Sequence, residues 1–252
     1  MISLQSLQQL ATRYQTSLFP NVLREYFQHL FLDTLYREPE TKNLLFKGGT
    51  ALRIIYGSPR FSEDLDFSWR VDNHASVGKV SAESLFLDAL TRIEKFGVIV
   101  SLGEKSGATT GGYFGIATMQ ALDSPPVSLE VNVSERSNDL LQGEVDSIVS
   151  DFLPAYTLVH LSQEQLVDEK IFGALLNRHK PRDFYDLYFI LRKGMLTQEQ
   201  KKKLSDCFTK IENESGKINF KNELSVFLPA NQQILIKDFA RTLSSEIKRQ
   251  IA

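Results

Sequence analysis

The chain has 252 residues, a formal net charge of −2 and a composition of 42% apolar and 24% charged residues, close to the soluble globular average. That length buries a real core and fits one large domain, or a catalytic domain with a smaller helical partner. Neither disorder nor a membrane-spanning segment is supported, residues 1–16 lack a secretory-signal pattern, and near-neutrality neither names nor excludes a nucleic-acid partner.

Residues 4–37 are expected to be helical. Leu23, Tyr26, Phe27, Leu30 and Leu35 recur at roughly helical spacing, with Asn21 after Pro20 as the N-cap. A short apolar run, 43–47, stops at Gly48-Gly49, and a helix over 51–56 follows, closed by Gly57 and Pro59. The first unit is thus strand, double glycine, helix. Residues 63–69 alternate polar and apolar like a half-buried strand, and 81–96 form a helix with Leu85, Leu87, Leu90 and Ile93 facing the core. Strands are predicted at 97–100 and 112–119, joined through a hairpin loop at 107–112. The cleanest alternation is 127–133, where Val127, Leu129, Val131 and Val133 oppose Ser128, Glu130 and Asn132.

After Leu161 the pattern turns helical. Ser162 with Gln165 forms a capping-box pattern, a helix runs to about His179, and Pro181 breaks it. A second helix extends from about 182 to 193 and ends at Gly194, and 198–252 is mostly helical with a looser stretch at 215–217. The fold class is α+β, a mixed sheet flanked by helices followed by a helical region. The boundary is placed between a catalytic domain at 1–160 and a helical domain at 161–252.

The chemistry concentrates in Lys47-Gly48-Gly49-Thr50 and Arg60-Phe61-Ser62-Glu63-Asp64-Leu65-Asp66-Phe67. On a strand Asp64 and Asp66 project from the same face, while Leu65 and Phe67 anchor the other. Adjacent carboxylates repel unless positive charge lies between them, and a hard divalent ion such as Mg²⁺ or Mn²⁺ supplies it through oxygen ligands. Without side chains, Gly48 and Gly49 let backbone N–H groups approach phosphate oxygens, and Thr50 offers a hydroxyl. A tight strand-to-helix turn accounts for the glycines equally well, but not for the acids beside them. Glu130, on the polar face of its strand, joins the pair if the two strands are neighbours. Three acids suffice for two metal ions in an in-line phosphoryl displacement.

These blocks resemble the nucleotidyltransferase superfamily and, more closely, the AbiEii/AbiGii toxin family. The matching residues are Lys47, Gly48, Gly49, Thr50 and Leu52, then Arg60, Ser62, Asp64, Asp66 and Phe67, with Ser128-Leu129-Glu130-Val131 similar to the third-acid strand. Lys170, Arg178 and the run Pro181-Arg182-Asp183-Phe184-Tyr185-Asp186-Leu187 resemble the family's helical signature, so the likeness spans about 46–187. It implies transfer of a nucleoside monophosphate from an NTP to an acceptor hydroxyl. The acceptor would be RNA such as a tRNA 3′ end, and the protein a toxin of a toxin–antitoxin or phage-defence pair with a cognate antitoxin. In this scheme Asp64, Asp66 and Glu130 hold the metal, Gly48, Gly49, Thr50 and Lys170 take the phosphates, and Asp183 assists by orienting a basic group.

Other residues keep two readings. Ser62 touches phosphate or fixes its own turn, and Arg60 neutralises transition-state charge or buttresses the acids. Arg178, Lys180 and Arg182 form a cationic cluster for phosphate or RNA, or a solvated corner that Asp183 caps. Asp186 is structural or functional. The acceptor is alternatively a small molecule or protein, and a non-catalytic nucleotide- or partner-binding relative is the reading from another class.

His29, His74, His160 and His179 lack metal-ligand spacing, so zinc is not expected. Trp69 is assigned to the core, Lys201-Lys202-Lys203 to a solvated helix face, and Cys207 to a small apolar role. The single cysteine closes no intramolecular disulfide, which suits the cytoplasm.

Overall fold

The computed structural model describes residues 2–70, 81–121, 124–136 and 141–251, so His74 lies outside the described residues. The predicted N-terminal helix is two helices, α1 (Leu4–Arg13) and α2 (Phe19–Leu35), broken where Gln15 takes a φ of 53°. Pro20 sits inside the first turn of α2, where the missing N–H costs no intrahelical bond. Leu18 is therefore the N-cap, and Asn21 lies within the helix.

A 3₁₀ turn (Pro39–Asn43) leads to strand β1 (Leu44–Lys47) and helix α3 (Gly48–Ile54), which starts at the first glycine rather than at Ala51. Strand β2 (Asp64–Arg70) and helix α4 (Ala82–Glu94) follow. Ser81 caps α4 by accepting a bond from the Ser84 N–H at 3.0 Å. Next come β3 (Ile99–Leu102), β4 (Gly107–Thr109), β5 (Gly112–Gln120), β6 (Val127–Arg136), β7 (Gly143–Ile148) and β8 (Tyr156–Leu161).

Among the described residues these strands make one eight-stranded mixed sheet in the order β3-β5-β6-β2-β1-β8-β7, with β4 on β5. β2 runs parallel to β6 and antiparallel to β1, while β1 and β8 are parallel. One face carries Leu65, Phe67, Leu129, Val131, Ala117 and Met119, all buried. Burial of such side chains, at about 25 cal/mol per Å² of apolar surface, drives the packing of this layer. Among the helices, α2 and α4 meet through Phe31 and Phe86, whose rings lie 5.7 Å apart. Leu85, Leu90 and Ile93 of α4 are buried as expected, but Leu87 is 38% exposed, and Trp69 is only half-buried.

The chain divides into two units, Met1–Gly57 with Phe61–Leu161, and Ser58–Arg60 with Ser162–Ala252. The second holds α5 (Gln163–Asp168), a π-helical turn (Glu169–Leu175), α6 (Leu176–Arg178) and α7 (Pro181–Lys193). It continues with α8 (Gln198–Ser215), α9 (Phe220–Phe227), a 3₁₀ segment (Ala230–Asp238) and α10 (Phe239–Ile251). Its core stacks Tyr185 on Phe239 at 6.0 Å and sets Phe220 edge-on to Phe239 at 4.7 Å. Ser162 is the N-cap of α5 but its side chain makes no capping bond, so the expected capping box is absent. The π turn was invisible to periodicity, since seven residues are too few to reveal a change of pitch. Among the described residues no helix is long and apolar enough to cross a membrane.

Candidate active site

The polar face of the sheet is organised by strand register. Asp64 on β2 lies directly beside Glu130 on β6, and Asp66 lies between Lys47 on β1 and Asn132 on β6. Laterally paired residues project to the same side, so three carboxylates and one lysine share one face. Asp64 and Asp66 are half-buried and Glu130 is exposed, whereas Leu65 and Phe67 between them are buried. The alternation visible in the sequence therefore becomes a cluster only because β6 pairs parallel to β2 in this register.

Gly48 packs against Asp66. A Cβ built on it would meet the Asp66 carboxylate and stand 2.9 Å from the Asp66 Cβ, and its φ of +87° already disfavours any side chain. Glycine here leaves room for an acid, a requirement stronger than that of a tight turn alone. Gly49 is buried within α3. Thr50 is also fully buried, and its hydroxyl donates to the Asp64 carbonyl at 2.5 Å. A hydroxyl carries one proton, so this bond takes the donor that the sequence reading assigned to phosphate. Thr50 instead pins the start of β2.

Helix α2 holds the approach to β2 from another direction. Gln28, buried, donates from Nε2 to the carbonyls of Ser62 (3.0 Å) and Glu63 (3.1 Å). Ser62 is thus fixed through its backbone carbonyl. Arg24 donates to the Ser128 carbonyl at 3.3 Å and pairs with Glu63 at 3.5 Å, tying the entries of β2 and β6 together. Lys47 sends its ammonium toward Ser134 Oγ at 3.4 Å. The motif includes Lys47 without giving it a role of its own, and Gln28 and Asn132 are not among the residues that the sequence singles out. A lysine closing an apolar strand just before the glycines, and an amide two residues after Glu130, were the available signals.

The helical unit carries a second polar cluster. Arg60, 2% exposed, forks onto Asp186 with Nε to Oδ1 at 2.9 Å and Nη2 to Oδ2 at 3.0 Å. Lys170 donates to the same carboxylate at 2.9 Å. Burial pushes the Asp186 carboxyl up, but the charges of Arg60 and Lys170 with their hydrogen bonds outweigh it and hold the pKa below its ordinary value. Asp186 is therefore a counter-ion of Arg60 within the helical unit. Arg178 forks onto buried Asp183 at 2.7 and 2.9 Å. Arg182 pairs with Glu223 at 3.4 Å, and Lys180 is the exposed N-cap residue of α7. Two of the three expected phosphate cations are thus partly neutralised by carboxylates.

Asp64, Asp66 and Glu130 offer only oxygen donors, as a hard divalent ion requires, and the missing Cβ of Gly48 makes room for the Asp66 carboxylate. Like charges directly opposite on paired strands repel, a cost that a cation removes. Among the described residues no three His, Cys, Asp or Glu side chains already converge to enclose an ion. The donor chemistry fits a divalent metal, while the ligand geometry is not preformed.

A family model described as nucleotidyl transferase AbiEii toxin, type IV TA system, matches residues 30–249. No curated protein matches the chain. Among solved structures, a putative nucleotidyltransferase from H. pylori is 18% identical with a TM-score of 0.56, covering 98% of both chains. JHP933 from Helicobacter pylori is 19% identical with a TM-score of 0.56, covering 99% of this chain and 96% of that one. At these identities the likeness shows the fold, a nucleotidyltransferase α+β architecture.

Proposed function

The chain belongs to the AbiEii nucleotidyl transferase toxin family, and we propose that it moves a nucleoside monophosphate from an NTP to an acceptor hydroxyl on RNA. The observation that carries this reading is the lateral pairing of Asp64 with Glu130 one step from Asp66, whose carboxylate takes the space that a side chain on Gly48 would fill. Asp64, Asp66 and Glu130 are the residues that hold Mg²⁺ or Mn²⁺. A divalent ion held there supplies charge neutralisation to the phosphoryl oxygens and lowers the pKa of the attacking hydroxyl.

The chain's own groups do the rest. The acceptor oxygen forms a bond to the α-phosphorus as the bond to the β-phosphate bridging oxygen breaks, and pyrophosphate leaves. Glu130, the most exposed of the three acids, takes the hydroxyl proton. Lys47, with its ammonium above the face that carries Asp66, offsets negative charge of the polyphosphate. In the helical unit Lys170, held by Asp186, and Arg178, held by Asp183, are the cations proposed for phosphate. As a family toxin it has an antitoxin counterpart, and a tRNA 3′ end is the proposed acceptor.

The test incubates purified protein with Mg²⁺, each α-labelled NTP in turn and total tRNA, beside Asp66→Ala. Label entering tRNA only with the unaltered chain is the expected result. Nucleotide binding without transfer to any RNA would redirect the search to a small-molecule or protein acceptor. Absence of metal-dependent NTP binding would sink the enzymatic reading.

A further inference from the structure

The polar face of the sheet extends beyond the carboxylates. Register aligns Lys47, Asp66, Asn132 and Phe114 in one row across β1, β2, β6 and β5. Adjacent strands lie about 4.8 Å apart, so Asn132 stands about 5 Å and Phe114 about 10 Å from Asp66 along that row. From Asp66 outward the side chains change from carboxylate to amide to aromatic ring. A nucleoside triphosphate changes in the matching order, from phosphate to ribose to base.

Asn132 and Phe114 both stand half-buried on this face. Asn132 is half-buried, and among the described residues its amide makes no side-chain hydrogen bond. Phe114 is also half-buried, while its neighbours Tyr113 and Gly115 turn to the buried face. On the far side of Phe114 the register partner is Gly107, where an added Cβ would meet nothing within 4 Å, so the space beside the ring is open. Ile116, half-buried and beside Glu130, widens the apolar strip. An aromatic ring on the wet face of a sheet gains most of its stabilisation only when a flat apolar group covers it.

We infer that this row is a nucleotide cradle, in which Phe114 is the platform for the base of the NTP and Asn132 hydrogen-bonds its ribose. The inference rests on reading Asp64, Asp66 and Glu130 as the triphosphate end. Every base has a π-face, so the platform sets affinity for a nucleoside rather than a choice among bases. The ribose contact favours an NTP over its 2′-deoxy counterpart, because the 2′-hydroxyl is the group an amide reads.

The experiment titrates the full chain in Mg²⁺ with the four NTPs, their 2′-deoxy forms and inorganic tripolyphosphate, which has neither sugar nor base. Phe114→Ala is expected to weaken binding of NTPs about tenfold and leave tripolyphosphate unchanged, with Phe114→Tyr restoring the loss. Asn132→Ala is expected to erase the preference for NTP over dNTP. Equal weakening of NTP and tripolyphosphate by Phe114→Ala, or no weakening of either, overturns the cradle. Wild-type protein that binds tripolyphosphate as tightly as NTPs also overturns it, and leaves the carboxylate reading standing. Wild-type protein that binds neither ligand overturns both.

Discussion

Gly48 and Asp66 occupy space that only one of them can fill with a side chain, since a Cβ on Gly48 would run into the Asp66 carboxylate. Gly48→Ala must also hold alanine at a φ of +87°, a left-handed conformation that costs about 1–2 kcal/mol. We expect Gly48→Ala to lose about that much stability in urea melts and to displace Asp66. Its metal-dependent nucleotide binding should fall far more than its folding does. A variant with wild-type nucleotide affinity would show that the cradle is not used.

Asp64 and Glu130 lie opposite one another as like charges. Asp64→Asn or Glu130→Gln should therefore raise the metal-free stability slightly, by up to about 1 kcal/mol, while lowering nucleotidyl transfer on the order of 100-fold or more. Mg²⁺ should raise the melting temperature of the unaltered chain and not that of either variant. Equal metal responses in all three proteins would remove these residues from the metal site.

Asp186 neutralises two cations, buried Arg60 and Lys170. Asp186→Ala leaves both without their shared counter-ion, and loss of one partner from a buried ion pair costs about 3–5 kcal/mol. Chemical denaturation should register that loss. Arg60→Lys should be costly too, because an ammonium cannot reproduce the two-bond fork. Removing Lys170 alone should cost less, since the fork with Arg60 survives.

His29 sets an acid limit on the sheet unit. Its Nδ1 lies 2.8 Å from the Tyr156 hydroxyl, and burial, with a contribution from the positive charge of Arg53, lowers its pKa to about 3. The unfolded chain binds this proton near pH 6.5, so between about 6.5 and 3 the unfolded state holds more protons than the folded one. Stability from this group is present in full above 6.5 and is lost as pH falls toward 3. His29→Gln should flatten that part of the stability–pH curve measured by urea midpoints between pH 4 and 7. An unchanged slope would assign the acid sensitivity to other groups.

Thr50 and Asp64 are joined by a bond that the motif did not disclose. Thr50→Ser keeps the donor to the Asp64 carbonyl and should fold and act nearly as the unaltered chain. Thr50→Val removes it from a fully buried position, with a cost of about 1–3 kcal/mol and a displaced Asp64. Thermal melts and the transfer assay of both variants check this.

What the sequence by itself determined is the local pattern. Alternation placed Asp64 and Asp66 together on one side of a strand and Glu130 on the polar side of another, because side chains on a strand repeat every two residues. It also indicated the helical second half, the break at Pro181 and the stop at Gly194, where backbone chemistry is local. Only the tertiary structure decided that β6 lies parallel to β2 with Asp64 against Glu130, and that Asn132 and Phe114 continue the row from Asp66. It alone assigned Arg60 to Asp186, a pairing across 126 positions, and turned the Thr50 hydroxyl inward. Strand order, register and long-range ion pairs arise from the packing of the whole core, and spacing along the chain carries no record of which distant segment will become a neighbour.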